Sequence, residues 1–343
     1  MSSTTGRRGF LKGASAFASV LVAGRWGTVS AAQIFKSPHG KALAGVFPIG
    51  WTPCTPDNRL DLQRMVAQCE FVNKGKVAGI AWPQNASGWQ SLSSEEWHSG
   101  ADALLSVKGK SAIVLGVQTV GFDTSKSVEY AKYAGAKGAD AIISLTPPGA
   151  SDEEIIAYFK ALSSASQLPM MVQAVGDVSV DTLVALSKAL PTLMAVKDEA
   201  GDPLQRWPSL RERVDGKLED FSGAGGHTFF AEMEEGFLGT CPYVGLSDVL
   251  QRSFELHQAG KKTEAYDAFG SFLAFESLPH ANEYVLVARG VFPEDAIMRS
   301  NPPAERAAAP APARRGPRSP ITEAEKEEIR LALHTYLKRY LVA

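Results

Sequence analysis

The sequence predicts an α/β protein folded as a (β/α)8 TIM barrel with additional C-terminal helices. Three observations carry that expectation. Short apolar, β-rich runs alternate with amphipathic helical stretches through most of the chain. The length of 343 residues accommodates one barrel of about 250 residues plus tails. A composition of 45% hydrophobic and 21% charged residues supplies a sizeable core and excludes disorder of the whole chain. No repeat at solenoid periods interrupts the alternation.

Taken from the N-terminus, residues 1–32 read as a processing segment. Arg7-Arg8-Gly9-Phe10-Leu11-Lys12 precedes an uncharged small and apolar run to Gly24, and Ser30-Ala31-Ala32 follows. This is similar to a twin-arginine export signal. The run is shorter than the roughly 20 residues a membrane span needs, so cleavage after Ala32 is expected. The mature protein would then be periplasmic or otherwise exported, with the twin-arginine translocase as a transient partner.

Barrel strands are expected at residues 45–49, 77–81, 112–116, 141–145, 170–173, 194–197, 220–222 and 240–244. Helices are expected between them at 60–74, 94–107, 125–135, 152–164, 180–189 and 228–236. Ser93 and Ser151 each stand before a pair or more of acidic residues, a side-chain cap backed by charge that favours the positive end of the helix dipole. The barrel occupies residues 33–250 in this reading. Further helices at 253–277 and 279–289 belong to a C-terminal region, 251–300. Residues 301–320, rich in Pro, Ala and Arg, read as a linker. A docking helix over 322–341 closes the chain, its Ile329, Leu331, Leu333, Tyr336 and Leu337 requiring cover.

A net charge of -2 from 35 basic and 37 acidic residues leaves no electrostatic footprint for a polyanion, and nucleic acid is not an expected partner. Cys54, Cys69 and Cys241 follow no metal-ligand spacing, and free buried thiols are the expectation. No metal and no separate cofactor are expected. The glycine cluster Gly223-Ala224-Gly225-Gly226 lacks the Lys-Ser/Thr ending of a phosphate-binding loop.

Residues at the C-terminal ends of barrel strands face the mouth of such a barrel. The sixth expected strand runs apolar to Lys197 and then turns polar at Asp198-Glu199. A low-dielectric setting disfavours a lysine's ammonium form and enlarges the population of free amine that attacks a ketone. Lys197 is therefore the candidate nucleophile. The competing reading pairs it with Asp198, Glu199 or an acid of a neighbouring strand. His227, on the glycine-rich turn after strand seven, is the foremost acid-base candidate by residue type; the competing reading is a solvent-facing residue at a helix start. Asp177, after strand five, is a second candidate against a solvated loop aspartate. Trp51, Trp82, Trp89 and Gln118 also lie near expected strand ends and hint at a larger or less polar substrate, or pack beneath loops.

Several segments together resemble the dihydrodipicolinate synthase/N-acetylneuraminate lyase family. They are Gly45-Val46-Phe47-Pro48 with Trp51-Thr52-Pro53, Ala136-Lys137-Gly138-Ala139-Asp140-Ala141 with Thr146-Pro147-Pro148, Leu168-Pro169-Met170-Met171, Val196-Lys197-Asp198-Glu199-Ala200-Gly201-Asp202, and Ser222-Gly223. The resemblance implies the same barrel and class I aldolase chemistry, with Lys197 forming an imine with pyruvate or another 2-keto acid. It also places Gln84-Asn85-Ala86-Ser87-Gly88 where the family binds the keto-acid carboxylate, with Thr52 in the turn after strand one.

The departures are equally specific. Both threonines of the family's carboxylate loop are gone, Ala86 supplies no hydroxyl, and Gln173 stands where the family has its proton-moving tyrosine. Gly176-Asp177-Val178 replaces the basic residue that grips a second carboxylate, which speaks against the synthase reaction itself. Pro148-Gly149 replaces the inter-subunit aromatic pair. The resulting expectation is a periplasmic Schiff-base lyase or aldolase acting on a 2-keto acid, sugar-derived ones included, assembled as a dimer or tetramer. A hydratase or dehydratase using the same imine, and a ligand-binding barrel without turnover, are the alternatives.

Overall fold

The computed structural model describes residues 35–299, 314–315 and 320–342. The export segment expected over 1–32 and most of the linker expected over 301–320 lie outside the described residues. Among the described residues, eight parallel strands form one sheet: β1 (Gly45–Val46), β3 (Gly79–Trp82), β4 (Ala112–Gly116), β5 (Ala141–Leu145), β6 (Met170–Val175), β7 (Leu193–Glu199), β8 (Glu219–Ser222) and β9 (Gly239–Thr240). Each expected strand is matched by one of these. The order β1-β9-β8-β7-β6-β5-β4-β3 leaves β1 and β3 to meet. Ile49 bridges Ala81, and the amide of Ala81 donates to Pro48 O at 2.9 Å. The barrel closes there.

One layer of side chains fills the barrel, including Phe47, Val114, Ile143, Met171, Ala195 and Phe221. A second and larger apolar layer lies between the strands and the helices outside them. That division follows from the period of two: successive strand residues face the interior and the helices in turn. Both faces of each strand are covered, which is why the strands read as continuous apolar runs.

The helices α1 (Leu62–Lys74), α2 (Ser94–Ser106), α3 (Thr124–Lys137), α4 (Asp152–Ser166), α5 (Val180–Ala189) and α7 (Phe229–Glu234) occupy the expected gaps. Ser93 and Ser151 cap α2 and α4 through full capping boxes with Glu96 and Glu154. Four local readings are corrected. Residues 203–214 carry no expected element, yet they form α6 (Pro203–Val214) with Asp202 as N-cap, Pro203 in the first turn and Pro208 inside. A proline tolerated in the first turn is pre-organised for a helix, and burial of Trp207 and Leu210 outweighs the second one. The single helix expected at 253–277 is two, α8 (Ser247–Gln258) and α9 (Lys262–Glu276), broken where Gly260 takes φ +73°.

The C-terminal helix, third, is not one regular α-helix over 322–341. After α10 (Ala281–Ala288), α11 (Glu323–Ala332) passes into a π turn at Leu333–Leu337. Ile329, Leu333 and Leu337 are buried, but Leu331 and Tyr336 stay exposed. Residues four apart share one helix face, so a single stripe docks and the other apolar positions face away. The fourth concerns Thr52: β2 (Thr52–Cys54) leaves the barrel and pairs antiparallel with β10 (Ile297–Arg299), which pairs in turn with β11 (Arg314–Arg315).

This side sheet is held by Arg299, only 1% exposed. Its Nη2 and Nη1 donate to the two carboxylate oxygens of Glu96 at 2.6 and 2.8 Å, and Nη2 also reaches Asn58 O. Burial pushes the Glu96 carboxyl up, but Arg299 and the amides of Ser93 and Leu60 outweigh it and hold the group below its usual value. Glu96→Ala is expected to cost about 2 kcal/mol in urea unfolding at neutral pH, less than for a fully buried pair because Glu96 keeps some solvent access. A carboxyl held low contributes above its unfolded pKa and loses that contribution as pH falls through the folded value. The deficit should therefore shrink below about pH 4.5, the value for an unperturbed glutamate.

Candidate active site

A cavity of about 410 Å³ opens at the C-terminal ends of the barrel strands. Lys197 and Glu199 from β7, Asn85 and Ala86 after β3, Gly223, Ala224, Gly225 and His227 after β8, and Cys241 to Tyr243 after β9 supply its walls. Lys197 is 1% exposed. Its Nζ stands 2.9 Å from Glu199 Oε1, and Gln173 Nε2 donates to Glu199 Oε2 at 2.7 Å. One carboxylate thus joins the lysine to the glutamine that occupies the neighbouring strand.

The local sequence explains this arrangement. In β7 the period of two turns Lys197 and Glu199 to the same face, and the β6 register sets Gln173 opposite Lys197 and Val175 opposite Glu199. Gly223 then leaves room for Glu199: a Cβ there would lie 2.2 Å from Glu199 Cγ. Asp198, between the two, points the other way and pairs with Arg206 of α6 at 2.7 Å.

The sequence candidates separate into two groups. Lys197, His227, Asn85 and Ala86 meet in the cavity. His227 is largely exposed on its side chain and lies 3.7 Å from Glu276 of α9. That carboxylate raises the imidazole's pKa from its ordinary value, burial opposing it. Gln173 is fully buried behind Glu199.

The others lie outside the cavity lining. Gln84 is buried, its side-chain amide donating to Pro83 O at 3.1 Å. Ser87 donates its hydroxyl to Gly50 O at 2.6 Å and accepts from the Gln84 amide. Gly88 ends that turn at φ +70°. Thr52 Oγ1 accepts from Trp82 Nε1 at 2.9 Å and is fully buried. Asp177 is exposed on the turn after β6. Trp51 stacks on Tyr243 with ring centroids 5.1 Å apart, while Trp82, Trp89 and Gln118 are buried.

The sequence offered Glu199 only as an ion-pair partner of Lys197, a pair the structure contains, and assigned neither Glu199 nor Tyr243 a role in the site. For Glu199 a signal existed: it stands two residues after the lysine, on the same face of any strand that continues that far. For Tyr243 there was none, because only the closed barrel brings the loop after β9 beside β7.

Cys241 also faces the cavity, but burial pushes its thiol up to about 12, against the lowering influence of Lys197. It is protonated at neutral pH and a poor nucleophile. None of the three cysteines forms a disulfide, and all three are buried. Among the described residues no group of three or more His, Cys, Asp or Glu side chains is placed to hold a metal ion.

A buried acid cluster supports the site from outside the barrel. Glu232 accepts from Ser222 and Thr228 at 2.8 and 2.6 Å. Asp220 is fully buried with neither carboxylate oxygen in a well-formed hydrogen bond. Burial, then Asp198 and Glu232, raise its pKa well above 3.8, with only slight relief from the Phe221 amide and Arg206. A carboxyl raised in the folded state binds a proton the unfolded chain releases, so stability is greatest below the unfolded pKa and falls as pH rises toward the folded one. Asp220→Asn is expected to stabilise by about 1–2 kcal/mol at pH 7, with the gain vanishing near pH 3.8. Thermal unfolding of both chains between pH 4 and 8 checks this; a gain independent of pH would contradict it.

Residues 42–265 match the model of the dihydrodipicolinate synthetase family. A 4-hydroxy-tetrahydrodipicolinate synthase of Sphingopyxis alaskensis is 40% identical over 87 residues, covering 23% of this chain and 30% of that one. The chain spans 30 to 64% of the length of three such synthases. Among solved structures, the dihydrodipicolinate synthase of Rhodopseudomonas palustris superposes with a TM-score of 0.68 at 21% identity, covering 85% of this chain and 97% of that one. The Ruminococcus gnavus sialic acid aldolase does so with 0.71 at 17% identity, covering 87% and 99%. At these identities the structural likeness is one of fold.

Proposed function

Because the chain belongs to the dihydrodipicolinate synthetase family, whose relatives include synthases and aldolases, we propose that it is a lyase of the class I aldolase type. In this reading Lys197 condenses with the carbonyl of pyruvate or another 2-keto acid. One observation carries it: a nearly solvent-free lysine near the C-terminal end of a barrel strand lines an open cavity. A buried ammonium is costly in a purely structural role. At the mouth of a barrel it is placed for covalent work.

Asn85 and Ala86 lie on the opposite wall. They open a short 3-10 turn over Asn85–Ser87, at the position where the family binds the keto-acid carboxylate. The substrate would lie with its carboxylate on that wall and its carbonyl at Lys197. Gln173 cannot titrate, so the family's tyrosine role falls to another group. A hydratase or dehydratase would use the same imine. A barrel that only binds its ligand is the second reading, favoured by Gln173 in that position.

The test is borohydride trapping. The mature protein is incubated with pyruvate, 2-oxobutanoate and 2-keto-3-deoxy sugar acids, reduced, and mapped by peptide mass spectrometry. A stable adduct on Lys197 is expected, and its yield ranks the substrates. No adduct in folded protein would leave the binding reading and make Lys197 an ion-pair residue. We further place the mature protein outside the cytosol through twin-arginine export, on the Arg7-Arg8 motif and the Ser30-Ala31-Ala32 site. N-terminal sequencing of the exported protein should begin at Gln33.

A further inference from the structure

We propose that Glu199 is the proton-transfer residue of this site and that Gln173 is the positioning residue that holds it there. The assignment rests on the imine reading of Lys197 and adds the group that reading lacks. Glu199 touches both members of the pair: Oε1 is 2.9 Å from Lys197 Nζ and Oε2 is 2.7 Å from Gln173 Nε2. About a quarter of its side chain remains exposed, toward the cavity it lines with Lys197. Gly223 is pressed against its methylene stem, so the carboxylate has little freedom to turn away.

The other titratable groups in the cavity are less well placed. His227 is held at Glu276 on the rim, and Tyr243 is stacked on Trp51. Cys241 is protonated and neutral. Within hydrogen-bond reach of the nucleophile, as general acid-base work requires, Glu199 stands with a free path to the cavity.

The proton accounting closes with one carboxylate. Glu199 takes a proton from the Lys197 ammonium, leaving a free amine. The amine's lone pair forms the C–N bond at the keto carbon, and an amine proton passes to the carbonyl oxygen to give a carbinolamine. Glu199 then protonates the departing hydroxyl; water leaves, the protonated imine forms, and the carboxylate is regenerated. For cleavage, Glu199 takes the proton of the hydroxyl one carbon beyond C3. The bond between that carbon and C3 breaks, its electron pair moves into the C2–C3 bond, an aldehyde departs, and Glu199 returns the proton to C3 of the enamine. Water then adds to C2 of the imine, and Glu199 passes a proton of that water to the lysine nitrogen. The C–N bond breaks, and the keto acid leaves with Lys197 and the carboxylate regenerated; water is the sole added reactant and no oxidant is needed. The same residue moves a C3 proton of pyruvate, which makes hydrogen exchange at C3 a direct readout.

Glu199→Gln keeps the shape and the hydrogen bonding while removing the base. The wild type, E199Q, E199D and Q173L are each incubated with pyruvate and with 2-oxobutanoate in D2O. Exchange at C3 is followed by proton NMR, adduct formation by borohydride trapping, and folding by circular dichroism. E199Q should accumulate adduct on Lys197 more slowly but still reach it on long incubation, while its exchange falls by about 100-fold or more. E199D should recover exchange in part. Q173L should exchange more slowly with its acid limb displaced in the pH profile, a change that a merely structural glutamine would not produce.

Exchange by folded E199Q within about threefold of wild type, with adduct present, overturns the Glu199 assignment alone. Loss of both adduct and exchange in E199Q supports it if E199D restores them, and overturns it if E199D does not. The same E199D criterion applies if E199Q does not fold. A wild type that forms no adduct overturns the imine reading itself and this assignment with it.

Discussion

Lys197→Met is expected to abolish adduct formation on borohydride reduction and to lower turnover by at least about 1,000-fold, the scale seen when a covalent nucleophile is removed. Methionine keeps most of the stem's volume, so the barrel should still close over it. The change removes the charge that faces Glu199 at 2.9 Å, but that carboxylate keeps its Gln173 hydrogen bond and partial access to water. The stability change should therefore stay within about 1 kcal/mol, well under the cost of stranding a fully buried charge. Mass spectrometry after reduction, steady-state kinetics and urea unfolding of the same preparation separate the two effects. A K197M protein that retains turnover would sink the nucleophile assignment, whereas one that binds keto acid with wild-type affinity and has no activity to lose would favour the ligand-binding barrel.

Gly239→Ala is expected to cost about 3 kcal/mol or more, at the upper end for overpacking, and to loosen the barrel at the seam between β1 and β9. β1 and β9 each contribute only two paired residues, Gly45 with Gly239 and Val46 with Thr240. A Cβ at 239 would stand 2.0 Å from the Gly45 carbonyl oxygen and 2.4 Å from the Phe221 ring. The backbone oxygen belongs to the seam's own ladder and cannot move aside, and Phe221 is fixed edge-on to Phe47 in the barrel interior. The neighbouring sheet must give instead. Because Cys241, Pro242 and Tyr243 follow directly and line the cavity, keto-acid binding should weaken together with stability. Urea midpoints paired with adduct yield at saturating pyruvate test this; an unchanged midpoint would mean the seam is looser than its contacts indicate.

The sequence was sufficient for the plan of this protein. Alternating apolar runs and amphipathic stretches determined eight strands and their order, because burial of every strand on two faces imposes a pattern that local composition carries by itself. The same logic put Lys197 at a strand end and therefore at the mouth. The helix at 203–214 was hidden by its two prolines, which weigh against a helix locally while Trp207 and Leu210 are buried by tertiary packing.

What only the tertiary structure decided is which side chains face Lys197. The sequence pattern ends the strand at the lysine, where residues turn polar, whereas pairing of Ala174 with Asp198 and Val175 with Glu199 carries β7 two residues further. That extension directs Glu199 inward to the lysine and Asp198 outward to Arg206. Thr52, by contrast, is taken out of the barrel by β10, nearly 250 positions away in the chain. Strand ends and cross-strand partners are set by hydrogen bonds between segments distant in sequence, and no local pattern encodes them.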